Sequence, residues 1–179
     1  MCTSKQQLRA QIKQRIAHYS AEERKQFASK LCQLLIQHPR ILAAQRILVY
    51  APLDDEIDIC PFIQSLWQQN KDVFLPRVAT NHQLSIHPYQ GLDSVQIGAY
   101  HIQEPTTPAA NLAEIDLIIV PGRAFTTNGQ RLGRGGGYYD WLLHQTDAYT
   151  IGVAFPCQIL QQIPTQPHDK PVNEVITIQ

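Results

Sequence analysis

The sequence predicts an α/β fold: a mainly parallel open sheet with helices on both faces, a Rossmann-like three-layer α/β/α arrangement. Three observations predict it. Short apolar runs at 46–51 (RILVYA), 115–120 (IDLIIV) and 150–155 (TIGVAF) are bounded by turn residues, as strands buried on both faces are. These runs alternate with segments of helical period, the order that builds crossovers between parallel strands. The chain has 179 residues, 44% of them hydrophobic, and no repeat, linker or low-complexity block divides it. Residues 1–179 are therefore read as one domain with a sizeable core.

Taken in order, residues 5–19 place Leu8, Ile12 and Ile16 at four-residue spacing behind Ser4, a candidate N-cap, and so predict an amphipathic helix. Lys5 and Arg9 share one face of it; on the residues alone that is a solvated basic stripe. Ser20-Ala21-Glu22-Glu23 reads as a capping box opening a second helix with Phe27, Leu31, Leu34 and Leu35 inside, stopped by His38-Pro39. The strand at 46–51 runs into Asp54, Asp55, Glu56 and Asp58, ahead of a helical pattern of Ile59, Phe62, Ile63, Leu66 and Trp67. That acidic cluster either compensates a helix dipole or serves a site. Its place at the carboxyl end of a strand, where open α/β sheets bind ligands, favours the site. Trp67 reads as packing.

Residues 71–76 give a strand, followed by a turn at Pro76-Arg77, a turn at Asn81-His82 and a weaker strand at 84–89, with mixed strand direction admitted here. Residues 91–108 read as loop, kept out of helix by Pro105 and Pro108. After 115–120 come a helix at 138–145, the strand at 150–155, a helical turn at 158–162 and a last strand at 173–178.

Fifteen basic and fifteen acidic residues balance, which argues against a nucleic-acid or membrane surface but leaves room for a local basic pocket. Cys2, Cys32, Cys60 and Cys157 are far apart, without a CxxC pair or zinc spacing, and read as reduced thiols. The polar amino terminus lacks an apolar signal region, and no run reaches membrane-spanning length. A cytoplasmic monomer is expected. The seven histidines form no HxH or HExxH pattern and receive no metal or catalytic role.

Chemistry concentrates between Val120 and Leu143, VPGRAFTTNGQRLGRGGGYYDWLL. A strand ends at Pro121-Gly122, and Gly133, Gly135, Gly136 and Gly137 lead into the predicted helix. Backbone N–H groups of such a loop can converge on an anion, and Arg123, Arg131 and Arg134 add cations suited to phosphate. The loop is neither a Rossmann GxGxxG, since Tyr138 stands where the last glycine would, nor a Walker loop, since no Gly-Lys-Ser/Thr occurs. The alternative is a glycine-rich surface turn.

The run RLGRGGGYYD, with DLIIVPGRAF before it and GVAF after it, resembles the signature of the 5-formyltetrahydrofolate cyclo-ligase family. The opening Lys5-Gln6-Gln7-Leu8-Arg9, the strand and acidic turn carrying Glu56, Leu75-Pro76-Arg77, Glu104-Pro105 and the segment 164–169 extend the resemblance over nearly the whole chain. It implies ATP- and magnesium-dependent cyclisation of 5-formyltetrahydrofolate, with or without a polyglutamate tail, to 5,10-methenyltetrahydrofolate. ADP and phosphate are released by way of a phosphorylated formyl intermediate. It further implies that Arg131 and Arg134 are catalytic. ATP would be bound by Lys5, Arg9, Arg131, Gly133, Arg134, Gly135, Gly136, Gly137, Tyr138 and Tyr139. The folate would be bound by Ala51, Glu56, Arg134, Gly135, Gly136, Gly137 and Tyr138, and magnesium by Asp140 and Asp169. One departure stands out: family members usually carry aspartate after the Ala-Phe of this loop, where this chain has Thr126. A loop-ordering aspartate can be replaced by a local threonine hydrogen bond; one that organises magnesium or the arginines cannot. Two other readings stand beside the cyclo-ligase: another ATP- or sugar-phosphate-using enzyme on the same scaffold, and a non-catalytic nucleotide- or folate-binding module.

Overall fold

The structure is a computed structural model that describes residues 4–79, 83–98 and 103–178. Helices α1 (Lys5–Ala17), α2 (Ala21–Gln37) and α3 (Pro39–Ala43) precede strand β1 (Arg46–Leu48). Helix α4 (Cys60–Gln68) leads to β2 (Asp72–Val78), β3 (Leu84–Pro88), β4 (Val95–Ile97) and β5 (Gln103–Pro105). The second half holds β6 (Leu117–Val120), β7 (Ala124–Phe125), β8 (Arg131–Leu132), α5 (Tyr138–His144), β9 (Tyr149–Ala154) and β10 (Glu174–Thr177).

The main sheet has the order β10-β9-β6-β1-β2-β3, with every pair parallel except β2 and β3. Its central strands are largely apolar because successive side chains enter two different cores. Ile47, Val73, Leu75, Leu117, Ile119, Ile151 and Val153 pack with α1 to α4, whereas Leu48, Phe74, Ile118, Val120 and Ala154 pack with Leu142 and Leu143 of α5. Both faces are thus covered, as the sequence predicts, but unequally: among the described residues, α1 to α4 lie on one face and the seven-residue α5 on the other. From β1 the chain crosses to β2 on one side, while β6 and β9 continue on the other. The switch point of this open sheet therefore lies at the carboxyl ends of β1 and β6.

The predicted cap at Ser4 and capping box at Ser20 both form, and Ser4 proves to belong to a box as well: Ser4 accepts from the Gln7 N–H and Ser20 from the Glu23 N–H, each at 3.2 Å. Along α1, Lys5, Arg9, Ile12 and Ile16 fall on one stripe (i, i+4, i+7, i+11). Ile12 and Ile16 are buried, which leaves the cationic end of the stripe at the helix start.

Several expectations are corrected. The strand at 46–51 pairs over 46–48, closed by the Val49 N–H donating to the Phe74 carbonyl at 2.9 Å; Tyr50 stays buried beyond the ladder, so the end of the apolar run marks burial rather than pairing. Pro76 and Arg77 make no turn but lie within β2. Hydrogen bonds from Tyr89 to Val73 and from Ala79 to Gln83 fix the alternation, which aims the Pro76 nitrogen at the β1 side, past the end of β1, where no acceptor needs it. The turn expected at Asn81-His82 lies outside the described residues. The region read as loop after Gly91 contains the β4–β5 hairpin. His38 ends α2, but Pro39 opens α3, where its missing N–H costs nothing. Leu34 is exposed and the buried stripe runs through Ala28, Leu31, Cys32 and Leu35. Trp67 is half exposed, edge-on to Tyr89. The helical turn expected at 158–162 is a 3-10 turn at Pro156–Gln158.

Candidate functional site

The long loop between β6 and α5 is built around a small hairpin, β7 with β8. Thr126 closes it. Its N–H donates to the Gln130 carbonyl at 2.9 Å, and its hydroxyl accepts from the Gln130 N–H at 3.1 Å. The residue is buried, so the hydroxyl serves the loop locally, as a loop-ordering side chain would. Behind the hairpin, buried Gln158 donates to the carbonyls of Gly122 and Arg123 at 2.9 and 3.0 Å and fixes the chain as it leaves β6. Nothing in the sequence singles out this glutamine.

Beyond β8 Gly135, Gly136 and Gly137 are exposed at the surface, with Gly135 at φ +109° and Gly137 at φ +73°, a backbone region open to glycine without strain. Gly137 leads directly into α5. Arg9 reaches this loop from α1, its Nε donating to the Gly133 carbonyl at 2.8 Å. One turn earlier, Lys5 pairs with Asp169 at 2.5 Å, and Asp169 also accepts from the Gln166 N–H at 2.6 Å. The basic stripe of α1 is therefore not solvated but spans from the glycine loop to the carboxyl-terminal segment.

The three loop arginines occupy different places. Arg131 is buried beneath the loop: Nη2 donates to Asp140 at 2.6 Å, Nη1 to the Pro121 carbonyl at 3.3 Å, and the guanidinium lies 5.9 Å from the Tyr139 ring centre. A Cβ on Gly133 would come within 3.0 Å of Nη1, so the glycine makes room for this arginine. Arg134 lies at the surface and crosses to the β1 side, where Nε donates to Glu56 at 2.7 Å and Nη2 to Asp55. Arg123, at the end of β6, takes the other Asp55 oxygen. Asp55 thereby joins the loop after β1, the loop after β6 and the glycine loop, and its importance was missed by sequence reasoning. Burial pushes its carboxyl up, but the bonds from Arg123 and Arg134 outweigh this and hold it below the usual range.

The acidic cluster after β1 divides accordingly. Asp54 and Asp58 are exposed, and Asp58 caps the start of α4 by accepting from the Cys60 N–H at 2.9 Å. Glu56 is turned inward, its second oxygen accepting from the Leu53 N–H at 3.1 Å. Beside it lie two buried phenols, Tyr50 and Tyr139, both pushed up chiefly by burial and further by the charge of Glu56. The Tyr50 hydroxyl donates to the Ile57 carbonyl, while that of Tyr139 has no partner among the described residues. Ala51 lines a cavity of about 50 Å³ with Pro52, Cys60, Ile63, Leu75 and Tyr89; it has room for a few waters but not for a bicyclic ring. Burial, with Asp58 adding to it, pushes the Cys60 thiol up to about 12, which leaves it protonated and unreactive.

The structure thus gathers Lys5, Arg9, Arg131, Gly133, Arg134, Gly135, Gly136, Gly137, Tyr138, Asp140 and Asp169 around the glycine loop and α1. It places Ala51 and Glu56 across the switch point, linked to the loop through Arg134. The Tyr139 side chain packs inward with its hydroxyl buried. Arg77 donates to the Pro105 carbonyl at 3.3 Å, away from these groups. No group of three or more His, Cys, Asp or Glu side chains arranged to hold a metal occurs among the described residues, and no helix there is long and apolar enough to cross a membrane.

Comparison with known proteins adds an independent finding. A family model described as the 5-formyltetrahydrofolate cyclo-ligase family matches residues 1–178. The 5-formyltetrahydrofolate cyclo-ligase of Mus musculus is 33% identical, over 97% of this chain and 93% of that one. The enzyme of the same name from Haemophilus influenzae is 32% identical over 96% of each chain. The solution structure of the Aquifex aeolicus 5,10-methenyltetrahydrofolate synthetase superposes with a TM-score of 0.86 at 30% identity, covering 96% of this chain and 88% of that one.

Proposed function

Because the chain belongs to the 5-formyltetrahydrofolate cyclo-ligase family, we propose that its switch-point site couples ATP cleavage to the cyclisation of 5-formyltetrahydrofolate into 5,10-methenyltetrahydrofolate. The observation that carries this assignment is the Arg134 bridge. One guanidinium belongs to the glycine loop and is held by Glu56 on the opposite wall, so a phosphate on the loop and a folate on Glu56 meet within one side chain.

The formyl oxygen attacks the γ-phosphorus, and the bond from that phosphorus to the β,γ-bridging oxygen breaks, releasing ADP. N10 then adds to the activated formyl carbon, its proton leaves to solvent, and the C–O bond breaks to release phosphate. Arg134 and the loop N–H groups offset charge on the transferring phosphoryl. Arg9 and Lys5 hold the nucleotide along α1. Arg131, locked to Asp140 below the loop, fixes the loop's shape and adds its charge from beneath. Glu56 accepts from the amino and ring N–H donors of the pterin.

Magnesium needs only one or two carboxylates besides the phosphates. Asp140 and Asp169 each have one oxygen on a cation and another with no hydrogen bond among the described residues, the second Asp169 oxygen lying 3.9 Å from His168 Nε2, so both fit a hydrated ion; bound there, it would neutralise phosphate charge. The test is ADP release by the purified protein with magnesium-ATP, with and without 5-formyltetrahydrofolate. Release that depends on the folate is expected. ATP binding with no folate-dependent release would support the binding module instead.

A further inference from the structure

We propose that Asp55 is a positioning residue for the phosphoryl-transfer step, acting through Arg134; this rests on the function proposed above. Asp55 is partly buried, and each of its oxygens takes a different arginine: Oδ2 takes Arg123 Nη1 and Oδ1 takes Arg134 Nη2. Glu56, its neighbour in sequence, takes Nε of the same Arg134. The Nε–Nη2 edge of Arg134 is thus held by two consecutive carboxylates, and no hydrogen bond occupies Nη1 among the described residues. A guanidinium pinned along one edge presents the other in a fixed direction, which a flexible single ion pair would not do.

The two acids are not equivalent. Glu56 is the carboxylate the folate draws on, and whatever it gives to the pterin it withdraws from Arg134. Asp55 sits between two arginines, tied through Arg123 to the end of β6, whose backbone Gln158 holds from below. It retains Arg134 when Glu56 turns to the substrate. The four groups Asp55, Glu56, Arg123 and Arg134 sum to zero charge, so the cluster is at rest without ligand. Engagement of Glu56 leaves Arg134 in excess of positive charge, directed at the arriving phosphoryl.

The experiment is steady-state kinetics of Asp55→Asn, Arg134→Ala and the double variant, with each substrate varied. Asp55→Asn should lower kcat about 10- to 100-fold, the scale on which misplacing a catalytic group acts, with both KM values within about 3-fold of wild type. In the Arg134→Ala background the same change should cost less than about 2-fold, because neighbours that act as a unit are not additive. An unchanged kcat, or losses that multiply independently, would overturn the proposal. Should Asp55→Asn not fold, Arg134→Lys carries the test. Lysine keeps the charge but cannot be held along an edge by two acids, so kcat should fall at least about 10-fold, and wild-type kcat would overturn it. Wild-type protein that forms no methenyl product defeats the parent reading; wild-type turnover with an indifferent Asp55 defeats this one alone.

Discussion

Glu56 keeps one carboxylate oxygen on the Leu53 N–H and the other on Arg134, so a folate drawing on Glu56 shares it with a turn and a guanidinium. Glu56→Gln preserves the shape and removes the charge. Hydrogen bonds to a charged group contribute roughly 1.5–3 kcal/mol, so the folate KM should rise about 10-fold or more while the ATP KM stays within about 2-fold. Initial rates with each substrate varied in turn decide it; the reverse pattern would place the carboxylate on the wrong substrate. At this scale the sequence was partly legible. Glycines followed by aromatic residues announced the loop, and an acid at a strand end announced Glu56. The three arginines looked alike, because residue type does not say which is buried. Arg131 goes under the loop because Gly133 leaves it space. Asp55 was invisible as a separate group because its partners lie 68 and 79 positions away.

Helix α1 serves the core and the candidate site at once, since one stripe carries Ile12 and Ile16 into the core and brings Lys5 to Asp169 and Arg9 to the Gly133 carbonyl. Its capping box stands one residue before Lys5, whereas that of α2 caps a helix whose buried face serves only the core. Ser4→Ala and Ser20→Ala should each cost about 1 kcal/mol in urea denaturation, as lost N-caps do. Only Ser4→Ala should also raise the ATP KM, by a few-fold, through fraying of the turn that holds Lys5; equal effects on KM would separate α1 from nucleotide binding. Both helix starts were readable because capping is local. The course of β2 through Pro76 was not, because proline breaks a strand only where its nitrogen faces a partner, and β1 ends too soon to be one. Similarly, 50–51 continued the apolar run of β1 after its pairing had ceased.

Across the whole molecule, ion pairs tie the amino-terminal helix, the switch point and the carboxyl-terminal segment together. Burial pushes the carboxyls of Asp55 and Asp169 up, but their cations outweigh it, and both titrate below the ordinary value of 3.8. A carboxyl depressed in the folded state stabilises fully above its unfolded value, and that stability is lost as pH falls through the folded one. Tm should therefore hold from neutrality to about pH 5 and drop below about pH 4, less steeply in Asp169→Asn; a level Tm down to pH 3 would show that these pairs add nothing to stability. The parallel sheet was legible from apolar runs and helical segments, but its unequal layers were not, since periodicity does not say which face a helix covers. The central claim is that Arg134 joins a phosphate site to a folate site. Its most direct measurement is absorbance in the methenyl-folate band with magnesium-ATP and 5-formyltetrahydrofolate, comparing wild type with Arg134→Ala. ATP-dependent growth of the band in the wild type, slowed about 100-fold or more in the variant with folate affinity retained, is the predicted result. Equal rates in the two proteins would contradict it.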